Sequence, residues 1–163
     1  MHALTEKDVR TSFVNASQRE RGSLTLPPGF SDLDWDSLHF LAWRDPKIAP
    51  FGYLVVPIGD RPVGVMLRES EQRTRTRPQC SWCEDVTLPN DVVFFAAKRS
   101  GRAGRNGDTV GTLACAGFEC AHNVRKLPPL AYPGFDRDAA RDRRIAALRG
   151  NVTEFVRDIR DGR

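Results

Sequence analysis

Cys80-Ser81-Trp82-Cys83 and Cys115-Ala116-Gly117-Phe118-Glu119-Cys120 hold every cysteine of this 163-residue chain, and their reading decides the fold. A two-residue spacer lets both sulfurs of a tight turn face one ion. A four-residue spacer suits a turn that runs into the first turn of a helix. Between the pairs, residues 92–97 (Val-Val-Phe-Phe-Ala-Ala) and 109–114 (Thr-Val-Gly-Thr-Leu-Ala) read as the two strands of a hairpin. After Cys120, residues 119–126 suit a short helix that Pro128-Pro129 stops. Knuckle, hairpin, second knuckle and helix is the order of a treble-clef zinc finger. Two close thiol pairs without the density of a secreted disulfide scaffold point to structural Zn2+ held by Cys80, Cys83, Cys115 and Cys120. The alternatives are four buried free thiols, or a disulfide pair in an oxidising niche. His122 is a substitute ligand by position, though a lone histidine on a short helix more often faces solvent.

N-terminal to the first thiol pair, residues 53–58 and 63–67 are β-branched runs joined by Gly59-Asp60-Arg61-Pro62, the signature of another hairpin. Upstream, Thr5 caps a helix with acids in its first turn that frays by Asn15, and Pro27-Pro28-Gly29 breaks the chain. Residues 34–43 read as a short helix with Leu38, Leu41 and Trp43 on one face, ended by Asp45-Pro46. Trp35, Phe40, Trp43 and Tyr53 are candidates for an N-terminal core. Downstream, Ile145, Leu148, Val152, Phe155, Val156 and Ile159 form the stripe of an amphipathic helix from Asp136 to about Ile159, with Gly162 placed to stop it.

The fold class expected is α+β: small antiparallel β-hairpins with flanking helices around a treble-clef zinc finger with four cysteine ligands, and an amphipathic C-terminal helix. Residues 1–70 form the N-terminal helix and hairpin part of the same compact unit. Residues 71–127 are the finger, and 128–163 are a linker and the last helix.

Composition excludes several classes. Lys plus Arg number 25 against 21 Asp plus Glu, a formal charge of +4, and 40% of residues are hydrophobic. That suffices for a modest core, and no run approaches the roughly 20 apolar residues of a membrane helix. The N-terminus lacks the order of a signal peptide. The expectation is a cytoplasmic protein with no membrane and no small-molecule substrate as partners.

Catalytic patterns are thin. Zinc deaminases need His-x-Glu and Pro-Cys-x-x-Cys, whereas here Gln79 separates Pro78 from Cys80 and no histidine is followed by the glutamate. The Gly-rich loop lacks the Gly-Lys-Ser/Thr ending of a phosphate loop. Four thiolates leave a zinc ion no vacant position, which argues for structure and against an enzyme. The clearest surface signal is positive: Lys98, Arg99, Arg102 and Arg105 fall between residues 98 and 107 with no acid among them. Such a tip suits an acidic protein surface or an RNA backbone, or is an ordinary solvated turn. Phe94 and Phe95 are adjacent, so a strand sends them to opposite faces. The polar stretch before Cys80 places Arg73, Arg75 and Arg77 on alternate positions.

These residues resemble a known family, the elongation factor G-binding proteins with a C-terminal treble-clef zinc finger, related to the fusidic-acid-resistance type. The matching motif is Cys80-x2-Cys83, then Gly101-x2-Gly104-Arg105-x-Gly107-x2-Val110-Gly111-Thr112-x2-Cys115-x4-Cys120-x3-Val124-Arg125. Ser12-Phe13-Val14-Asn15-x-Ser17, Trp35-Asp36-x-Leu38-x-Phe40-Leu41-x-Trp43-Arg44-Asp45-Pro46 and Tyr53-Leu54-Val55 are similar to the single-domain actinobacterial-type members. The resemblance implies a non-enzymatic protein that binds elongation factor G through its finger and promotes release of the factor from the ribosome. In resistance-conferring members this frees factor trapped by fusidic acid. The docking residues expected on the finger are Lys98, Arg99, Arg102, Arg105, Phe118 and Arg125. An RNA-binding finger acting on ribosomal RNA, and a structural protein-interaction module, are the alternatives.

Overall fold

The computed structural model describes residues 1–71, 76–87 and 90–162. Arg73 and Arg75 of the alternating arginine stretch lie outside the described residues, while the Arg77 Nε donates to the Asn90 carbonyl at 2.7 Å. Five strands, β1 (Leu41–Arg44), β2 (Phe51–Ile58), β3 (Arg61–Glu69), β4 (Val92–Lys98) and β5 (Thr109–Cys115), form one antiparallel sheet in chain order. Both expected hairpins are present. Gly59-Asp60 is the two-residue turn between Ile58 and Arg61, and β4 pairs β5 from Val92↔Cys115 to Lys98↔Thr109. The two hairpins meet through a short ladder, Arg68↔Ala96 and Glu69↔Phe95, so the sheet runs without a break into the finger.

The N-terminal helix α1 (Glu6–Ser12) starts with a capping box, in which the Thr5 hydroxyl accepts from the Asp8 N–H and the Asp8 carboxylate accepts from the Thr5 N–H. It stops before the expected Asn15 because Phe13 turns extended to bridge Gly64 on β3. Asn15 then mimics a strand partner: its Oδ1 accepts from the Met66 N–H at 2.8 Å and its Nδ2 donates to the Met66 carbonyl at 2.9 Å. A second helix, α2 (Gln18–Ser23), was not expected, although Ser17-x-x-Glu20 spells its capping box.

The stretch 34–43 is not a helix. After a 3-10 turn at Trp35–Ser37, the chain enters β1, pairing Leu41↔Val55 and Trp43↔Tyr53. Leu41 and Trp43 are two residues apart and both are buried, which is the period of a strand. The open edge of β2 supplies hydrogen bonds that a four-residue window cannot reveal, and this pairing overrides the helical spacing.

Strand β2 is buried on both faces. Tyr53 and Val55 join Val9, Phe13, Leu24, Leu41 and Trp43 in one cluster. Leu54 and Val56 join β3, the finger and the last helix in the other. That helix, α5 (Arg137–Asp161), is capped by Asp136 and ended by Gly162 in the left-handed conformation. Its Leu148, Val152, Val156 and Ile159 are fully buried, as the periodicity required, with Ile145 and Phe155 partly so. Among the expected N-terminal core residues, Trp43 and Tyr53 are buried in the first cluster with Trp35 at its edge, whereas Phe40 is buried in the second, against the finger and the last helix. Phe95 is fully buried and Phe94 is exposed, on opposite faces of β4. Among the described residues no helix is long and apolar enough to cross a membrane.

Candidate metal centre

The first knuckle is a turn at Cys80–Cys83 closed by the Glu84 N–H donating to the Cys80 carbonyl at 2.9 Å. The second, after β5, is closed by the Phe118 N–H donating to the Cys115 carbonyl at 2.9 Å and leads into α4 (Cys120–Arg125). Glu84 and Phe118 take the left-handed conformation, at φ 57° and 59°, that side chains seldom adopt. These turns aim the four sulfurs at one point. Cys80 Sγ lies 3.6 Å from Cys120 Sγ, Cys83 Sγ lies 3.7 Å from Cys115 Sγ, and all four fall within 4.8 Å of one another.

A tetrahedron with metal–sulfur bonds of about 2.3 Å has edges of about 3.8 Å, which the 3.6 and 3.7 Å separations match. They are far beyond the roughly 2.05 Å of a disulfide. All four cysteines are buried, with Cys80, Cys115 and Cys120 wholly inaccessible. Contacts with Cys115, Cys120 and Cys83 hold the Cys80 thiol below its ordinary range. Contacts with Cys115, Cys80 and Cys83, together with burial, push Cys120 above it. Sulfurs packed this closely cannot all be charged on their own, and a divalent cation is the group that satisfies four thiolates together. The donor set fits structural zinc. With four protein ligands the centre is closed, so its chemistry is to hold the finger together. His122 faces solvent and is not part of the cluster.

The surroundings of the sulfurs were largely illegible from the sequence. Trp82, inside the first knuckle, stacks on Phe118 at 5.8 Å and 15°, and Phe118 stacks on Phe95 at 5.0 Å and 23°. Phe118 is therefore a core residue, 6% exposed, and not the surface contact expected of it. Its left-handed backbone turns the ring inward, and burial in the stack offsets the strain. The edge of that ring fills the space above Gly52 on β2, where an added Cβ would lie 2.6 Å from Phe118 Cζ. Helix α5 clasps the first knuckle from the other side. Arg144 pairs with the buried Asp85 at 2.7 Å, and Asn151 donates to the Trp82 carbonyl at 3.1 Å. Asp85 and Arg144 stand 59 positions apart, so no local pattern marks the pair.

The basic loop carries a short helix, α3 (Gly101–Arg105), at the tip of the β4–β5 hairpin. The tip is bolted to the end of α5. Arg99 pairs with Asp158 at 2.7 Å, the Ser100 N–H donates to the Ile159 carbonyl at 2.9 Å, and the Ser100 hydroxyl donates to the Arg160 carbonyl. Arg99 is thus occupied in holding the loop, while Lys98, Arg102 and Arg105 are exposed. Arg125, on α4, donates to the Ala121 and Ser37 carbonyls and ties the finger to the N-terminal segment. The structure gathers the four cysteines at one point and spreads the expected docking residues over the hairpin tip, the core and α4.

No curated protein sequence matches the chain. Among solved structures, that of the fusidic acid resistance protein FusC is similar at 20% identity and a TM-score of 0.48, covering 64% of this chain and 47% of that one. The chain spans about half the length of that protein. The FBP C-terminal treble-clef zinc-finger family matches residues 8–159, which take in both thiol knuckles, all five strands and nearly all of α5. The chain belongs to that family.

Proposed function

We propose that this is a non-enzymatic zinc-finger protein that binds elongation factor G in the cytoplasm and promotes its release from the ribosome. The observation that carries the reading is family membership across nearly the whole chain, joined to a centre of four cysteine sulfurs. The docking surface is the hairpin tip, with Lys98, Arg102 and Arg105 as contacts. Arg99 positions that tip through Asp158, and Arg125 contributes at the edge of α4. Phe118, stacked on Trp82 and Phe95 in the core, is not part of that surface. A rigid, positively charged tip suits an acidic protein face, because little ordering entropy is lost on docking.

Release follows from competition. A protein that binds the free factor better than the ribosome-bound factor shifts the population toward the free form, tenfold for each 1.4 kcal/mol or so of difference. The same step gives tolerance where a drug such as fusidic acid traps the factor.

Titration of the purified protein with isolated elongation factor G, with and without a chelator, tests this directly. A 1:1 complex that chelation abolishes, and that Arg102→Glu/Arg105→Glu weakens at least tenfold, is the expected result. Salt-sensitive affinity for ribosomal RNA with no binding to the factor would replace the reading with an RNA-binding finger.

A further inference from the structure

Asn123 sits on α4 one turn beyond Cys120 and is 3% exposed. A buried primary amide in a small core is costly unless both its hydrogens are used. Its Nδ2 lies 3.3 Å from Asn90 Oδ1 and 3.7 Å from Cys115 Sγ. One hydrogen therefore goes to a neutral amide and the other to a ligand sulfur. The reverse orientation would aim a carbonyl oxygen at an electron-rich sulfur and at the Asn90 oxygen together, so only this one is favourable.

Four thiolates and one divalent cation leave net negative charge inside the protein, where water cannot solvate it. The Arg144 guanidinium is committed to Asp85 and does not serve the sulfurs. We infer that Asn123 is a positioning residue for the metal centre: its side-chain N–H neutralises part of the charge on Cys115 Sγ, orients that ligand and makes it a poorer nucleophile. A donor to an ionised acceptor is roughly twice as strong as a neutral hydrogen bond. Partners of this kind are typically worth about 10–100-fold in metal affinity. Asn90 holds the amide in place by accepting its other hydrogen.

The test compares the wild-type protein with Asn123→Leu, which keeps the branched shape but removes the donor, and with Asn90→Ala, which loosens the amide without deleting it. Zinc affinity is measured by competition with a chromogenic chelator, and the cobalt(II)-substituted proteins give the thiolate-to-metal charge-transfer band. Asn123→Leu is expected to weaken zinc binding at least tenfold and to shift that band, while Asn90→Ala does either to a smaller degree. A purely structural asparagine would alter stability and leave the band of the cobalt-loaded protein in place. Equal affinity and an unmoved band in Asn123→Leu overturn the assignment. If that variant does not accumulate, wild-type protein loaded with 113Cd decides. Coupling between the metal and one Asn123 side-chain amide proton, carried through sulfur, supports the hydrogen bond, and its absence overturns it.

Discussion

The two faces of β2 are closed by different physics. On one, Tyr53 and Val55 meet Phe13 and Trp43, with Phe13 edge-on to both other rings, Trp43 tilted 37° against Tyr53, and ring centroids 5.0–6.5 Å apart. Its polar atoms are satisfied locally, with the Tyr53 hydroxyl donating to Asp45 at 2.7 Å and the Trp43 indole to the Thr25 carbonyl at 2.8 Å. That face needs nothing from outside the chain. On the other face the finger contributes two strands, one short helix and a stack of three aromatic rings, all converging on four sulfurs. Burial alone leaves those sulfurs in conflict, so this half depends on an ion. One sheet thus joins a self-sufficient region to a conditional one, through the short β3–β4 ladder, the Phe118 ring on Gly52 and the core that Leu54 and Val56 share with the finger and α5.

Metal removal is the strongest way to break this contrast. Structural zinc is worth roughly 10–16 kcal/mol in finger peptides at neutral pH, comparable to the total stability of a whole domain. Chelation, or Cys115→Ser, is expected to remove amide protection from β4, β5 and α4 while β1 and β2 keep theirs, as read by hydrogen exchange. Simultaneous loss in both regions would show that the contrast is false and that the sheet melts as one unit.

The join itself can be attacked next. Gly52→Ala forces a methyl into the Phe118 ring, and overpacking of this kind costs about 1–3 kcal/mol. At about 2–4 °C per kcal/mol for a chain of this size, the melting temperature of the zinc-loaded protein falls by several degrees. An unchanged melt would mean that the finger does not bear on β2.

The smallest effect belongs to the self-sufficient face. Burial alone would raise the Asp45 carboxyl, but donors from the Lys47 N–H, the Tyr53 hydroxyl and the Ile48 N–H outweigh it and hold Asp45 below the usual carboxylate range. Its folded pKa is therefore depressed relative to the unfolded chain. The stability it adds is present above the ordinary carboxylate value of about 3.9 and is lost as the pH falls through the folded value. Asp45→Asn should lower stability at neutral pH and flatten the acid side of the curve. An identical acid slope in denaturant melts would assign that dependence to other groups.

Local chemistry explains what could be read in advance. The cysteine spacings, the turns at Gly59-Asp60 and Gly162, the Thr5 cap and the stripe from Ile145 to Ile159 each depend on residues a few positions apart, and each stands where its pattern placed it. Ser17-x-x-Glu20 was equally local and announced α2, but its surrounding residues lack an apolar stripe. The strand at Leu41–Arg44 was hidden because its partner is the edge of β2, and a window of ten residues shows only a spacing that a helix also satisfies. Phe118 looked like a surface ring because nothing in Ala116-Gly117-Phe118-Glu119 shows that the knuckle forces a left-handed backbone there. Asn123 carried no signal at all, since an asparagine on a short helix is ordinary until a sulfur lies 3.7 Å from its amide.

By itself, then, the order of residues determined that two thiol turns, a hairpin and a helix would assemble a zinc-binding finger, because turn geometry and side-chain period act over short stretches. Tertiary structure decided the rest: which arginines remain exposed and which are tied down, that Phe118 points inward, and that the finger shares its sheet with the N-terminal hairpin. Those outcomes depend on partners such as Asp158, Gly52 and β2 that are distant in sequence. Only packing the chain brings them within reach of a hydrogen bond or a van der Waals contact.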